Sequence, residues 1–221
     1  GEHNKITDHP DYRRRESRIY PDRQILRKAS STAERLGSKP IKQAADEKAS
    51  YGEFLERLLE DEVERRNQKQ LSLRLRRSCL DPAKTLEAFD FGFNTGINRQ
   101  QVYELATCAW VGRAEGIWIL GPAGVGKSHL AQALGHEALR KGHDVLFVRT
   151  SAMLTNLHGG RADGTYDRRM LNYLRPEVLI MDDFGLKPMR PPGSEDLYEI
   201  IDGRYQRAAT VITTNRAFSE W

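Results

Sequence analysis

Residues Gly121, Pro122, Ala123, Gly124, Val125, Gly126, Lys127 and Ser128 follow the pattern G-x-x-x-x-G-K-[ST]. Their types and spacing suit one task, the holding of a polyphosphate. The glycines let successive backbone N–H groups turn inward around phosphate oxygens, and a helix starting near Lys127 aims its positive dipole end at them. Lys127 is placed to reach the β- and γ-phosphates, Ser128 to ligate Mg²⁺ through its hydroxyl, and His129 to extend the nucleotide-contacting run. A second constellation, Asp182 and Asp183, closes the apolar run 178–181. Asp182 can hold Mg²⁺ or its water shell, and Asp183, one step beyond, can polarise an attacking water. Asn215 ends a third apolar run, 209–213. It is either an amide that orients that water against the γ-phosphate or an ordinary turn residue.

These groups need a scaffold that brings strand ends together. Residues 117–120 read as a buried parallel strand feeding the phosphate loop. Residues 129–139 carry apolar side chains at helical spacing, Gly142 supplies a stop, and residues 145–148 read as a second strand. Strand, loop, helix and strand make the βαβ unit to which this loop belongs. The acidic run is expected to be buried on both faces, its C-terminal end opening into the ligand crevice of a parallel sheet. The fold class is therefore α/β, a phosphate-loop domain with a parallel sheet flanked by helices.

The run from Gly121 to Ala131 (GPAGVGKSHLA), the strand end Asp182-Asp183-Phe184-Gly185 and the strand end Thr213-Thr214-Asn215 resemble the AAA+ ATPases of the DnaA/DnaC type. Within that group the chain is most similar to IstB, the helper ATPase of transposition encoded by bacterial insertion sequences. The likeness continues through Tyr51-Gly52-Glu53-Phe54-Leu55, Asp61-Glu62-Val63, Arg65-Arg66-Asn67, Lys84 to Phe91, and Asp202-Gly203-Arg204-Tyr205. It covers roughly residues 50–221.

The resemblance implies an ATPase that uses ATP and Mg²⁺, with Lys127, Asp183 and Asn215 as catalytic residues, Ser128 and Asp182 on the metal, and residues 121–129 around the nucleotide. An Asp at position 183 stands where many relatives place a Glu, and its shorter reach fits a slow, switch-like turnover. Phe89-Asp90-Phe91 falls where the adenine is usually flanked, or is plain core. The resemblance further implies ATP-dependent self-association into a multimer on double-stranded DNA, with little sequence specificity, and presentation of that DNA to a cognate transposase of the IstA type. Two other readings share the ATPase core: a helicase loader of the DnaC type, and a DNA assembly protein that binds ATP without significant turnover. Relatives continue past the third strand end into an arginine finger and a helical lid, whereas this chain ends at Trp221. Weak hydrolysis is the expectation for the chain as it stands, and none of Arg204, Arg207 and Arg216 occupies the finger position.

Charge adds a partner class. The net charge is +4, and residues 1–50 hold 12 Lys/Arg against 8 Asp/Glu. Residues 51–221 balance at 23 and 23, so the whole excess lies in the N-terminal stretch. Its bases, including Arg13, Arg14 and Arg15, suit an arm along DNA phosphates or a subunit contact, because bound cations release condensed counterions. From Tyr51 a helix is expected, with Tyr51, Phe54, Leu55, Leu58, Leu59 and Val63 on one face and Asp81-Pro82 at its end. Its second half carries Arg65, Arg66, Lys69, Arg74, Arg76 and Arg77 without an acid. That exceeds what the helix dipole needs and points to a DNA-backbone face. Residues 154–166 contain Gly159, Gly160 and Gly164 and read as a mobile loop, in which Arg161, with Arg168 and Arg169 just beyond, offers phosphate contacts.

The expected organisation is a basic N-terminal arm or small helical segment (1–50), an amphipathic helix and linker (51–85) and the AAA+ core (86–221), with the C-terminal lid absent from the chain. The 2 cysteines, Cys79 and Cys108, make no disulfide framework or metal cluster, which points to a reducing cytoplasm. No signal-peptide pattern opens the chain, and no apolar run approaches the roughly 18 residues needed to span a bilayer, so no membrane partner is expected.

Overall fold

The apolar runs become four strands: β1 (Gly116–Leu120), β2 (Val145–Arg149), β3 (Val178–Phe184) and β4 (Ala209–Thr214). In the computed structural model, which describes residues 51–94, 96–186 and 189–216, they pair in parallel in the order β1-β4-β3-β2. The N-terminal arm with Arg13, Arg14 and Arg15 lies outside the described residues. Seven helices accompany the strands among those residues: α1 (Tyr51–Ser78), α2 (Arg99–Ala106), α3 (Ala109–Gly112), α4 (Lys127–Arg140), α5 (Thr150–Asp163), α6 (Tyr166–Leu174) and α7 (Gly193–Arg204).

Alternation along β3 explains the layering. Val178 and Ile180 enter one core with Trp110, Ala131, Ala138 and Leu139, while Leu179 and Met181 enter the other with Met153, Leu157, Leu197 and Ile200. Successive strand side chains point to opposite faces, so a strand covered by helices on both sides must be apolar at every position. β3 meets that requirement, with Val178 through Met181 fully buried. β1 differs from the expectation of a buried strand. It pairs only with β4 among the described strands, and Trp118 and Leu120 keep 42% and 36% of their surface.

The chain partitions into two units, Gly1–Gln68 and Lys69–Trp221. In the first, the described part of α1 buries Leu58 and Glu62, while Leu59 and Val63 are 54% and 56% exposed. The apolar stripe read from the sequence is thus only partly used. Glu62 tolerates burial because Arg65 donates to Oε2 at 2.6 Å and Arg66 to Oε1 at 2.8 Å. Hydrogen bonds from Arg65 and then Arg66 hold its carboxyl below the usual carboxylate range.

In the second unit α1 stops at Ser78, before the expected Asp81-Pro82 stop. Ser78 Oγ donates to the Leu75 carbonyl at 2.8 Å and accepts from Leu80 N–H at 3.2 Å, while Cys79 takes a left-handed φ of 58°. The hydroxyl caps the helix end before proline can act. The linker beyond is fastened along α4. Asp81 N–H donates to Gln132 Oε1 at 2.9 Å, the Asp81 carbonyl accepts from His136 Nε2 at 2.9 Å, and Arg140 reaches Glu87 at 2.6 Å.

The segment expected as a mobile loop is helical: α5 runs through His158, Gly159, Gly160 and Arg161. A Cβ at Gly160 would lie 3.0 Å from Tyr166 Cα and 2.9 Å from Arg169 Cδ. The glycine therefore permits close approach of α5 and α6, an option that its helix-weakening reputation hides. Arg204 on α7, 1% exposed, clamps three segments. It donates to the carbonyls of Tyr173 at 2.9 Å, Pro176 at 2.8 Å and Ala209 at 2.5 Å. Burial pulls its pKa down to about 10, which leaves it a cation at neutral pH.

Candidate nucleotide-binding site

The loop 121–126 leaves β1 and enters α4 at Lys127, as the motif spacing requires. Gly126 caps that helix at φ 93°, and a Cβ there would meet the Phe89 ring at 3.1 Å. Only glycine satisfies both the left-handed turn and the aromatic neighbour. An open cleft of about 320 Å³ forms above this point. Its walls come from Ala123, Gly124, Gly126, Lys127, Ser128 and His129 on one side and from Asp183 and Asn215 on the other. Gly121, Pro122 and Val125 belong to the same turn but do not line that cleft.

Beneath the cleft sits a buried polar network. Ser128 Oγ donates to Asp182 Oδ1 at 2.8 Å, and Thr213 Oγ1 donates to the same oxygen at 2.5 Å. Asp182 is 4% exposed and Thr213 1%. Thr213 Oγ1 also accepts the Asp183 N–H at 3.1 Å, and Thr150 Oγ1, at the start of α5, donates to the Asp182 carbonyl at 3.0 Å. Lys127 is 9% exposed, with Nζ donating to the Pro122 carbonyl at 2.6 Å. Burial lowers the Lys127 pKa, opposed by the negative charges of Asp183 and then Asp182.

Two adjacent carboxylates would leave an ideal strand on opposite faces, but this strand end is irregular. The β3–β4 register shifts between Met181 and Phe184, and Asp183 adopts a left-handed φ of 57°. The irregularity re-aims one side chain, as bulges beside functional sites do. Asp182 stays inside the sheet layer against Ser128, and Asp183 lines the cleft.

Several sequence expectations receive a different setting. The His129 ring lines the cleft, but its Nε2 lies 3.0 Å from the Thr85 carbonyl. A carbonyl only accepts, so Nε2 carries the proton. The ring also stands edge-on to Phe89, with centroids 5.2 Å apart. Phe89 itself is 8% exposed in a small core with Val102 and Leu130, which is the plain-core alternative. Arg161 bonds to Asp196 and lies 4.1 Å from the Tyr166 ring centroid. Arg169 donates to Thr165 Oγ1 at 2.8 Å, to the Asn156 carbonyl at 2.7 Å and to Asp163 at 2.5 Å. Both guanidiniums are engaged within the chain; Arg161 and Arg168 are exposed and Arg169 is half-buried. On α1, Arg65 and Arg66 share Glu62, Arg74 lies 3.4 Å from Asp144, and Lys69, Arg76 and Arg77 are exposed.

Sequence reading missed Thr213 and Thr150 as parts of the site. Their signal was position: each is a threonine at the C-terminal end of a strand, level with the acidic end of β3. No described helix is long and apolar enough to cross a membrane.

A parallel sheet with the phosphate loop, paired acids and strand-end amide in one crevice defines an ATP-binding AAA+ domain of the DnaA/DnaC type. A crystal structure of the DnaC helicase loader superposes with a TM-score of 0.50 at 26% identity, over 54% of this chain and 68% of that one. AMPPCP-bound DnaA from Aquifex aeolicus shares the fold with a TM-score of 0.54 at 22% identity, over 62% of this chain and less than half, 44%, of that one. The chain belongs to the family of IstB-like ATP-binding proteins, whose model matches residues 31–221. A protein named as ATP-binding in an insertion sequence of Mycobacterium tuberculosis is 41% identical over 170 residues, covering 76% of this chain and 68% of the relative. The ATP-binding protein of insertion sequence IS21 from Pseudomonas aeruginosa is 38% identical over 181 residues, covering 82% and 68%. Family membership makes this an insertion-sequence ATP-binding protein.

Proposed function

We propose that this protein is an ATP-dependent, largely sequence-nonspecific DNA-binding ATPase. It assembles on target DNA as a multimer and presents that DNA to the transposase of its insertion sequence. The observation that carries the reading is the 2.8 Å bond from Ser128 to Asp182, in a site whose cleft also gathers Lys127, Asp183 and Asn215. A hydroxyl and a carboxylate at that separation are the donor set a divalent cation needs beside a phosphate chain. Mg²⁺ held there would neutralise the β- and γ-phosphates.

The protein's own groups do the rest. First-turn N–H groups of α4 and the Lys127 ammonium bind the phosphates. Asn215 orients a water in line with the γ-phosphorus, and Asp183 accepts its proton as the bond to the β–γ bridging oxygen breaks, giving ADP and phosphate. The short Asp183 side chain favours slow turnover, so ATP acts as an assembly switch. Exposed bases, Lys69, Arg76 and Arg168 among the described residues, provide phosphate contacts on DNA.

The test pairs a labelled nucleotide with a labelled DNA duplex. Lys127→Ala is expected to weaken ATP binding by about a hundredfold, roughly 2.7 kcal/mol, and to abolish the ATP-dependent part of DNA binding. A Lys127→Ala protein that forms ATP-dependent DNA complexes like the parent would overturn the reading.

A further inference from the structure

We infer that the outer edge of β2 is a docking groove for an extended, acidic segment of a partner protein. β2 ends the strand order β1-β4-β3-β2, so one of its edges has no neighbouring strand among the described residues. The Asp144 carbonyl accepts from Val178 N–H on β3 at 3.0 Å. By strand alternation the main-chain groups of Leu146 and Val148 also face β3, and those of Val145 and Phe147 face outward. Such an edge is a template for another extended chain.

The edge is not bare surface. A groove of about 630 Å³ runs along it, between the end of α1 and the turn that follows α6. Its floor is β2 itself, with Leu146, Phe147 and Val148 half-buried, and its rim carries Arg74, Arg77 and Arg175. Against these three cations stands one lining carboxylate, Asp144, whose side chain is 71% exposed and 3.4 Å from Arg74. The groove therefore has a net positive rim over an apolar floor.

That combination selects the occupant. DNA phosphates need cations but gain nothing from an apolar floor or a strand edge. An extended peptide uses all three: backbone hydrogen bonds to the edge, alternate apolar side chains on the floor, and carboxylates to the arginine forks. The structure thus divides the bases at the end of α1. Arg74 and Arg77 turn to the groove, whereas Lys69 and Arg76, seven residues apart, share another face and remain for DNA. No groove residue belongs to the phosphate-loop cleft, so the inference stands apart from the nucleotide reading.

The test uses the full chain and a fluorescein-labelled peptide alternating glutamate with valine, followed by anisotropy at physiological ionic strength. Saturable binding is expected. It should weaken by about tenfold or more in the double variant Arg77→Glu, Arg175→Glu, and fall away when alternate peptide amides are N-methylated. The lysine–valine counterpart should not bind. ATP binding and thermal unfolding, measured on the same samples, should match the parent, which separates loss of the groove from loss of the fold or of the nucleotide site. Absence of saturable binding to the parent chain would overturn the inference. So would unchanged binding to the double variant, or displacement of the peptide by duplex DNA at the midpoint of DNA binding itself.

Discussion

The crevice at the phosphate loop and the arginine-rich surfaces obey opposite rules. In the crevice, the short side chains of Ser128 and Asp182 are held by the main chain within one hydrogen bond of each other, so the two motifs that carry them nearly determine the geometry. Among the arginines, spacing determines little. Arg161 is drawn to Asp196 on α7, Arg169 is absorbed into the α5–α6 contact, Arg204 is entombed among carbonyls, and Arg168 stays exposed. A guanidinium on a long stem finds its partner several ångströms from its own Cα, and that partner belongs to tertiary structure. Phosphate-binding function can be assigned from a motif; DNA-binding function cannot be assigned from a tally of arginines.

The contrast is testable, and Arg204 should give the largest effect. Arg204→Met fills similar volume but strands several buried carbonyls, so a loss of about 3 kcal/mol or more in urea unfolding is expected, with ATP affinity retained. An unfolding free energy like the parent's would show that this arginine is dispensable and break the contrast. Thr213→Val probes the other region. It removes the second bond to Asp182 and leaves the Asp183 N–H without its acceptor, for a cost of about 2 kcal/mol. Unlike the arginine change, it should also weaken Mg²⁺-dependent ATP binding in a titration with labelled nucleotide.

Gly160→Ala comes next. The added methyl meets Tyr166 backbone, and about 1–2 kcal/mol of overpacking should appear as a lower thermal midpoint. A rise in stability, as for an ordinary helical glycine, would show that the close approach of α5 and α6 does not depend on this glycine. The smallest effect belongs to Glu87. Its carboxyl is lowered from 4.5 to about 2, first by the Arg140 hydrogen bond. A depressed carboxyl stabilises the fold above its unfolded pKa and loses that contribution as pH falls through the folded value. The thermal-midpoint difference between the parent and Glu87→Gln should therefore shrink from about pH 4.5 down to about 2. The difference is small throughout, because the Glu87 side chain is 64% exposed.

How far the sequence was legible follows the same division. The strands, the phosphate loop and the acidic strand end were readable because a buried parallel strand must be apolar at each position and a phosphate cradle requires glycine at fixed intervals. That β1 has only β4 beside it among the described strands was not readable, because Trp118 and Leu120 look the same in a covered strand and in a half-covered one. The glycines of α5 misled because their cost to an isolated helix is local, while their benefit, contact with Tyr166, depends on a second helix. The end of α1 was misplaced because proline is an obvious stop and a serine hydroxyl bonding its own turn is not. Thr213 was overlooked because its partner, Asp182, lies 31 residues away and only the register brings them together.

The bond from Thr150 to the Asp182 carbonyl has a mechanical side. It pins the first residue of a 14-residue helix to the backbone of the acid beneath the phosphate cleft. A helix of that length extends about 21 Å from the pin. As a rigid lever it magnifies displacement, so a tilt of about 3° at Thr150 carries Asp163 through about 1 Å. The end farthest from the pin adjoins the turn into α6.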